Sequence, residues 1–379
     1  MMGNSAGVTP LPSGHPSVNE RPMLDQDDSI ASKVDRFSFY KALAEVDFEA
    51  VQEDLRTLFV DSQESWPADY GNYGPFFIRL AWHCNGSYRT SDGRGGCDGG
   101  RQRFDPEQSW DDNTNLDKAR GLLQPIKEKY GLGLSWGDLF SLAGTTAIES
   151  MGGPVLGFCA GRVDDHDGTA SLELGPTPEQ EALYPCEPEQ GDCQTPLGAT
   201  TIGLIYVNPE GPMGVPDPLG SASDVRDTFA RMNMNDEETV ALIGGGHSFG
   251  KAHGACPAGP GPPPSEDPSN PWPGECGTGK GVDAFTSGFE GPWTVNPTSW
   301  DNSYFQNLVD YEWESWVGPG GHYQWRVSNS DDDDVPTAPA ADFNGTQNVM
   351  MMTSDISLIT DPAYKAIVEN FAANQSAFD

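Results

Sequence analysis

The order of apolar and polar residues along the chain predicts a series of amphipathic helices. From Phe37 onward, apolar residues recur at spacings of three and four, as expected when one face of a helix is buried. The stripe consists of Leu43, Val46, Phe48, Val51, Leu55, Leu58 and Phe59. The next helix opens at Gly74-Pro75, because proline is favoured in the first helical turn, and it runs through His83.

Later segments carry similar signals. The spacing predicts helices over residues 115–130, 135–151 and 222–232. Ser135 and Asp138 form a weak capping box at the start of the second of these. Asn235 can cap a helix over residues 236–243 that runs on into Gly244-Gly245-Gly246-His247, and Asp361-Pro362 starts a last helix.

Glycine- and proline-rich stretches separate these helices. They cover residues 86–103, 153–200 and 256–282, and they predict long surface loops. The sequence shows no internal repeat. The predicted fold class is therefore mostly α with long Pro/Gly-rich loops.

Composition and length indicate the domain organisation to expect. Residues 1–35 are polar without periodicity and predict a disordered leader, and the length of the chain suits one large domain or two of ordinary size. No stretch approaches the roughly 20 apolar residues of a membrane helix, and the leader lacks the apolar segment of a secretory signal. We expect a soluble protein, with an intracellular location favoured and secretion left open.

The charge narrows the choice of partners. With 21 Lys+Arg against 57 Asp+Glu, the formal net charge is −36. This excess argues against binding to nucleic acid, whose phosphates must be neutralised by basic side chains, and against binding to an anionic membrane. It favours a cationic partner. The acidic run at residues 331–334 predicts a solvated loop rather than a calcium site.

The seven cysteines leave at least one thiol unpaired in a monomer. Cys186 with Cys193, and Cys256 with Cys276, lie in the loop-rich stretches, where disulfides would form in an oxidising compartment. Their spacing matches no common zinc pattern.

Two helices carry residues suited to chemistry. Arg79 and His83 are four residues apart and share a helix face; the alternative is an arginine that reaches solvent and a histidine bonded to a backbone carbonyl. His247 follows three glycines, which let a bulky group approach the backbone, and its imidazole suits a metal ligand. The alternative is a histidine that caps a helix end. A zinc site of His247 with His253 lacks further ligands.

Four motifs on and near these helices resemble those of catalase-peroxidases, a class I group of plant-type haem peroxidases. They are Arg79-Leu80-Ala81-Trp82-His83, Asp92-Gly93-Arg94-Gly95-Gly96, the ten residues from Gly203 to Pro212, and Gly245-Gly246-His247-Ser248-Phe249-Gly250-Lys251. The resemblance runs from about Phe37 to Asp379 and covers the N-terminal catalytic half of a typical member. Because the resemblance stops before the last segment of the family's catalytic domain, we expect either a compact single-domain branch or a domain truncated at its C-terminal end. It implies the haem peroxidase fold over residues 36–379, haem b as cofactor and hydrogen peroxide as substrate.

The resemblance also implies roles on the distal side of the haem. His83 would be the acid–base residue for peroxide, and Arg79 would stabilise the negative charge that develops on it. Asn113 would accept a hydrogen bond from His83 and fix its tautomer. Asp112 matches an acidic residue at the mouth of the access channel, although Asp112 and Asn113 would otherwise be ordinary turn residues.

On the proximal side, His247 matches the axial ligand of the haem iron, and Asp355 matches the buried carboxylate that accepts its N–H. Trp293 matches the proximal tryptophan bonded to the same carboxylate, although without the family it would be an ordinary core residue. Ser287 matches a residue near a haem propionate.

Trp82, Tyr206 and Met232 match the three residues that catalase-peroxidases join in a covalent adduct; the alternative for Tyr206 and Met232 is plain packing. The adduct implies catalase activity, in which a second peroxide is oxidised to oxygen. One rival is a monofunctional class I peroxidase that takes electrons from a small donor or a cationic redox protein. The other is a non-catalytic haem-binding sensor, against which Arg79, His83 and Asn113 argue, because haem binding alone requires none of them.

Overall fold

The structure is a computed structural model, which describes residues 35–155, 157–172, 174, 207–254, 278–328 and 335–379. Four of the predicted features lie outside the described residues: the leader at 1–34, Tyr206, the acidic run at 331–334, and the two cysteine pairs placed in the loops. In the described part helices predominate, which confirms the mostly α fold class. The helices are α1 Arg36–Leu43, α2 Phe48–Phe59, α3 Gly74–Asn85, α4 Leu116–Tyr130, α5 Trp136–Ser150, α6 Pro218–Arg231, α7 Asp236–His247, α8 Ser303–Asp310, α9 Thr353–Thr360, α10 Pro362–Ala373 and α11 Gln375–Phe378.

Short antiparallel strand pairs accompany the helices. The strands of the described part are β1 Lys251–Ala252, β2 Gly291–Pro292, β3 Trp313–Val317, β4 Tyr323–Val327, β5 Thr337–Pro339 and β6 Thr346–Asn348. They pair as β1 with β2, β3 with β4, and β5 with β6. In the longest pair Trp313 lies opposite Val327 and Val317 opposite Tyr323.

The apolar side chains form two main clusters, one on each side of a cavity. The first cluster joins α2, α3, α4 and α5, and the second joins α6 through α11 with Trp293 and the segment before α9. Helices α3 and α5 approach each other closely at Gly144, where a Cβ would lie 2.4 Å from that of Ala81. Glycine at this position therefore lets α3 lie flat against α5.

Local signals place the helix starts. In α7 the Asn235 side chain accepts from the Glu238 backbone N–H while the Glu238 carboxylate accepts from that of Asn235, a complete capping box. The single stripe predicted over residues 37–59 is wrong in one respect, because it is divided between α1 and α2. The Asp47 side chain accepts from the Ala50 N–H and so starts a new helix there.

A disulfide that the loop cysteines did not suggest joins Cys84, the residue after His83, to Cys97. Both cysteines are buried, with 1% and 2% of their surface exposed. Cys159 is exposed and has a free thiol. Among the described helices, none has both the length and the apolar character required to cross a membrane.

Candidate active site

The predicted site residues of α3 and α7 line one cavity of about 870 Å³. Helix α3 contributes Arg79, Trp82 and His83, and the end of α7 contributes Gly246 and His247. Because the lining is mostly apolar with a few polar groups, the cavity has the character of a small-molecule or cofactor site.

On the α3 side, a hydrogen-bond chain fixes the imidazole of His83. Its Nδ1 lies 3.0 Å from Oδ1 of Asn113, and the Asn113 amide donates at 2.6 Å to the backbone carbonyl of Glu107. The amide group can donate only through its nitrogen, so its oxygen must accept from His83. The proton of a neutral His83 therefore sits on Nδ1, and Nε2 is the basic atom.

Burial and the charge of Arg79 hold the pKa of His83 well below its usual value, although hydrogen bonds that the imidazole donates to Asn113 and to the Asp112 backbone act in the opposite direction. Arg79 is itself held by two backbone carbonyls, with Nη2 2.6 Å from the oxygen of Asp112 and 3.0 Å from that of Thr114. Burial lowers the pKa of Arg79 to about 10, and the Asp112 carboxylate partly offsets this. At neutral pH the α3 side thus presents a neutral base beside a fixed cation.

At the end of α7, His247 lies in a network centred on Asp355. Nδ1 of His247 is 2.7 Å from Oδ1 of Asp355, which also accepts from the Tyr304 hydroxyl at 2.7 Å. Oδ2 of Asp355 accepts from Trp293 Nε1 at 3.0 Å and from the Met352 backbone N–H at 2.7 Å. The Trp293 ring stacks on the imidazole, with centroids 4.2 Å apart and planes 12° from parallel.

The Asp355 carboxylate is fully buried. Burial alone would raise its pKa, but the charge of His247 and the hydrogen bonds of this network bring the pKa below its usual value. Burial and the Asp355 charge in turn raise the pKa of the Tyr304 phenol well above its usual value. Asp355 is therefore an ionised acceptor, and Tyr304 remains a donor.

The remaining predicted residues that the structure describes make separate contacts. The Trp82 ring stacks on Phe229 of α6, with centroids 5.8 Å apart, and packs against the apolar cluster that contains Met232. Asp112 contacts Arg79 through its backbone oxygen. Ser287 is exposed and its hydroxyl accepts from the Phe289 N–H at 3.4 Å.

Sequence reasoning missed two contributors. Glu107 supplies the carbonyl that orients Asn113, and Tyr304 supplies a donor to Asp355. A Tyr two residues after Asn302, in the first turn of a helix, carries no local signal of this contact.

His253 has its own carboxylate partner, Asp69, at 2.7 Å. Within the described residues, no group of three or more His, Cys, Asp or Glu side chains is arranged to hold a metal ion.

The cavity fits a planar cofactor with a central metal. Asp355 occupies Nδ1 of His247, so Nε2 is the nitrogen left to bind a metal, and the His247 side chain is 28% exposed although its carboxylate partner is fully buried. A Cβ added to Gly246, which also lines the cavity, would meet open space. The wall beside His247 is therefore bare backbone that a flat ligand can approach.

Comparisons with known proteins agree with this geometry. The peroxidase family matches residues 52–374 of the chain. The chain is 50% identical over 363 residues to the catalase-peroxidase of Natronomonas pharaonis, which covers 94% of this chain and 50% of that protein. It is 51% identical to that of Salinibacter ruber, over 90% of this chain and 48% of the relative, and 52% identical to that of Geobacillus kaustophilus, over 91% and 47%.

The chain spans about half the length of the curated relatives it matches. The family match covers more than four fifths of the chain, from α2 to the end of α10, and contains both sides of the cavity. By this match, the chain belongs to the peroxidase family.

Proposed function

We propose that this chain is a haem-dependent peroxidase that reduces hydrogen peroxide and also has catalase activity. The observation that carries the proposal is one cavity lined by two histidines whose imidazoles have different hydrogen-bond partners. His83 stands beside Arg79 with Nε2 free to act as a base, and His247 is tied through Nδ1 to a buried carboxylate. A sensor that only binds haem would not need the first arrangement.

Haem b would lie in the cavity with its iron bound by Nε2 of His247. When bound, it supplies the redox chemistry that takes up two oxidising equivalents from peroxide. Asp355 would increase the electron donation of His247 by accepting a hydrogen bond from its Nδ1–H, and Trp293 and Tyr304 would hold the carboxylate in place. Asp112 and Ser287 would lie toward the entrance and the rim.

The residues of α3 would handle the proton and the charge. Because Asn113 holds the His83 proton on Nδ1, the neutral Nε2 would accept a proton from one peroxide oxygen and return it to the other, so that the leaving group is water. Arg79, held by two carbonyls, would stabilise the negative charge that develops as the O–O bond breaks, without having to reorganise.

The catalase part of the proposal rests on Trp82, Tyr206 and Met232. Met232 is a member of an apolar cluster against which Trp82 packs, and the relatives at about 50% identity are catalase-peroxidases. A monofunctional class I peroxidase is the alternative. The electron donor would be a small molecule or a cationic redox protein, since the charge of −36 attracts cations.

An intracellular location remains a proposal. The buried Cys84–Cys97 disulfide is the observation that favours an oxidising compartment instead, because thiols of cytosolic proteins are kept reduced. The test is mass spectrometry of the protein isolated with immediate thiol alkylation. Alkylated Cys84 and Cys97 would support the intracellular location, and an unalkylated pair would support the oxidising compartment.

The test uses haem-loaded protein, hydrogen peroxide and an oxygen electrode. We expect sustained oxygen release from the wild type and a reaction of His83→Leu with peroxide that is slower by about 10²-fold or more. His166→Leu, which changes an exposed histidine, is the matched control. Tyr206→Phe should lose oxygen release and keep donor oxidation. An unchanged rate in His83→Leu would contradict the peroxidase assignment, and oxygen release by Tyr206→Phe would contradict the adduct.

A further inference from the structure

The C-terminal end of α6 is joined to the segment that follows α3. Arg231 donates from Nη2 to the Gly86 carbonyl at 2.6 Å and from Nη1 to the Ser87 carbonyl at 3.4 Å. The Arg231 carbonyl accepts from the Thr90 N–H at 2.9 Å and from the Thr90 hydroxyl at 3.2 Å. Arg231 is 8% exposed. A single buried residue thus both donates to and accepts from this segment.

This junction lies between two members of the proposed adduct. On one side, the Gly86 N–H donates at 2.7 Å to the carbonyl of Trp82, so the carbonyls that Arg231 binds are one helical turn beyond Trp82. On the other side, Met232 directly follows Arg231. The Trp82 ring also stacks on Phe229, one turn before Met232, with planes 15° from parallel.

The backbone after Arg231 leaves Met232 little freedom. Asn233 has a φ of 69°, its N–H donates to the Ala230 carbonyl at 2.9 Å, and the Met234 N–H donates to the Phe229 carbonyl at 3.1 Å. This pattern is a Schellman motif, in which a residue in the left-handed region ends the helix and two bonds close it. The position of Met232 is therefore determined by the end of α6, which Arg231 attaches to the α3 segment.

We propose that Arg231 is a positioning residue for the adduct of Trp82, Tyr206 and Met232. The inference rests on the proposed catalase activity. Trp82 lies in α3, and Met232 directly follows α6, far away in the chain. Each must bond to Tyr206, and covalent bonds form only between groups held close together and in the correct orientation. By attaching the end of α6 to the end of α3, Arg231 holds the Trp82 and Met232 side chains in fixed positions relative to each other while the bonds form.

The chemistry of the adduct balances with peroxide as the oxidant. Joining the Trp82 and Tyr206 rings breaks one C–H bond on each and releases two protons and two electrons. Joining the Tyr206 ring to the Met232 sulfur breaks one further C–H bond, releases a proton and two electrons, and leaves a sulfonium cation. The four electrons, with these three protons and one more taken from water, reduce two molecules of hydrogen peroxide to four of water. Reduction of peroxide is the proposed activity of the protein.

The test compares Arg231→Gln and Arg231→Lys with the wild type, each haem-loaded and treated with limited hydrogen peroxide. The first readout is the rate at which the cross-linked peptide appears in a digest by mass spectrometry; the second is oxygen release relative to donor oxidation. We expect the adduct to form about tenfold more slowly in Arg231→Gln, because two hydrogen bonds from a charged donor are lost, with a parallel loss of oxygen release. Donor oxidation should stay within about twofold.

Arg231→Lys should be intermediate, since an ammonium is a point charge and cannot reproduce the fork of a guanidinium. It also serves if Arg231→Gln does not fold. Arg226→Gln is the matched control: it removes an arginine of the same helix whose partners are Asp236 and Asp361, and it should form the adduct at the wild-type rate.

The outcomes separate two kinds of failure. Adduct formation at the wild-type rate in both Arg231 variants overturns the inference and leaves the proposed function intact. Absence of the adduct from the peroxide-treated wild type overturns both the catalase proposal and the inference. Equal slowing of adduct formation and donor oxidation also contradicts a positioning role, because it indicates general damage to the fold.

Discussion

The Cys84–Cys97 disulfide should be a major source of stability on the α3 side of the cavity. The perturbation is the double substitution Cys84→Ala with Cys97→Ala. The two cysteines are separated by 13 positions, and the loss of chain entropy on closing a loop of that length corresponds to about 3 kcal/mol in the free energy of unfolding. Both side chains are buried, so their truncation adds about 1 kcal/mol for lost packing.

The assay is urea unfolding of the haem-loaded protein, followed by tryptophan fluorescence. The double variant should lose about 3 to 5 kcal/mol, whereas reduction of the wild-type disulfide should reproduce only the part of about 3 kcal/mol that comes from the cross-link. Cys159→Ala changes an exposed free thiol and should leave the free energy of unfolding within about 0.5 kcal/mol. A double variant as stable as Cys159→Ala would refute the reasoning.

Three further predictions concern single side chains. Tyr304→Phe removes a donor to the buried Asp355 carboxylate, so the free energy of unfolding should fall by about 1.5 to 3 kcal/mol in the same urea assay; an unchanged value would contradict the network. Arg79→Leu removes a charge that lowers the pKa of His83, so the acid limb of the peroxide reaction should move to higher pH, measured by stopped-flow absorbance, and a limb at the same or lower pH would contradict this. Burial and two neighbouring carboxylates raise the pKa of Asp224 to about 8. The folded state then keeps a proton that the unfolded state has lost, so the wild-type free energy of unfolding should fall as the pH rises from about 4 to 8. In Asp224→Asn this fall, measured by urea unfolding at each pH, should be smaller by a few kcal/mol. Parallel curves of unfolding free energy against pH for the two proteins would contradict this.

Local sequence signals predicted most of the helical fold. The start of α3 followed from Gly74-Pro75 and that of α7 from Asn235, because helix starts depend on dihedral preference and on hydrogen bonds between near neighbours. The division between α1 and α2 was missed, although Asp47 is a good N-cap residue, because the apolar spacing continues across it. The strand pair of Trp313–Val317 with Tyr323–Val327 was not predicted either.

Contacts between residues that are distant in the chain could not be predicted from local sequence signals. Loop composition drew attention to four other cysteines, yet Cys84, in the helix of His83, pairs with Cys97 in the segment that follows that helix. Likewise, Tyr304 contacts Asp355 from 51 positions away. Spacing along the chain contains no information on which of several side chains will meet, because packing of whole helices decides that.

The sequence by itself determined which chemical groups the protein has and which helices carry them: Arg79 and His83 on one face of a helix, and His247 after three glycines. Only the tertiary structure decided what those groups can do. It brings Asn113 to His83 across 30 positions and Asp355 to His247 across 108. It also buries His83 beside Arg79. Because burial and a neighbouring cation destabilise the charged form of an imidazole, the pKa of His83 is lowered only in the folded chain.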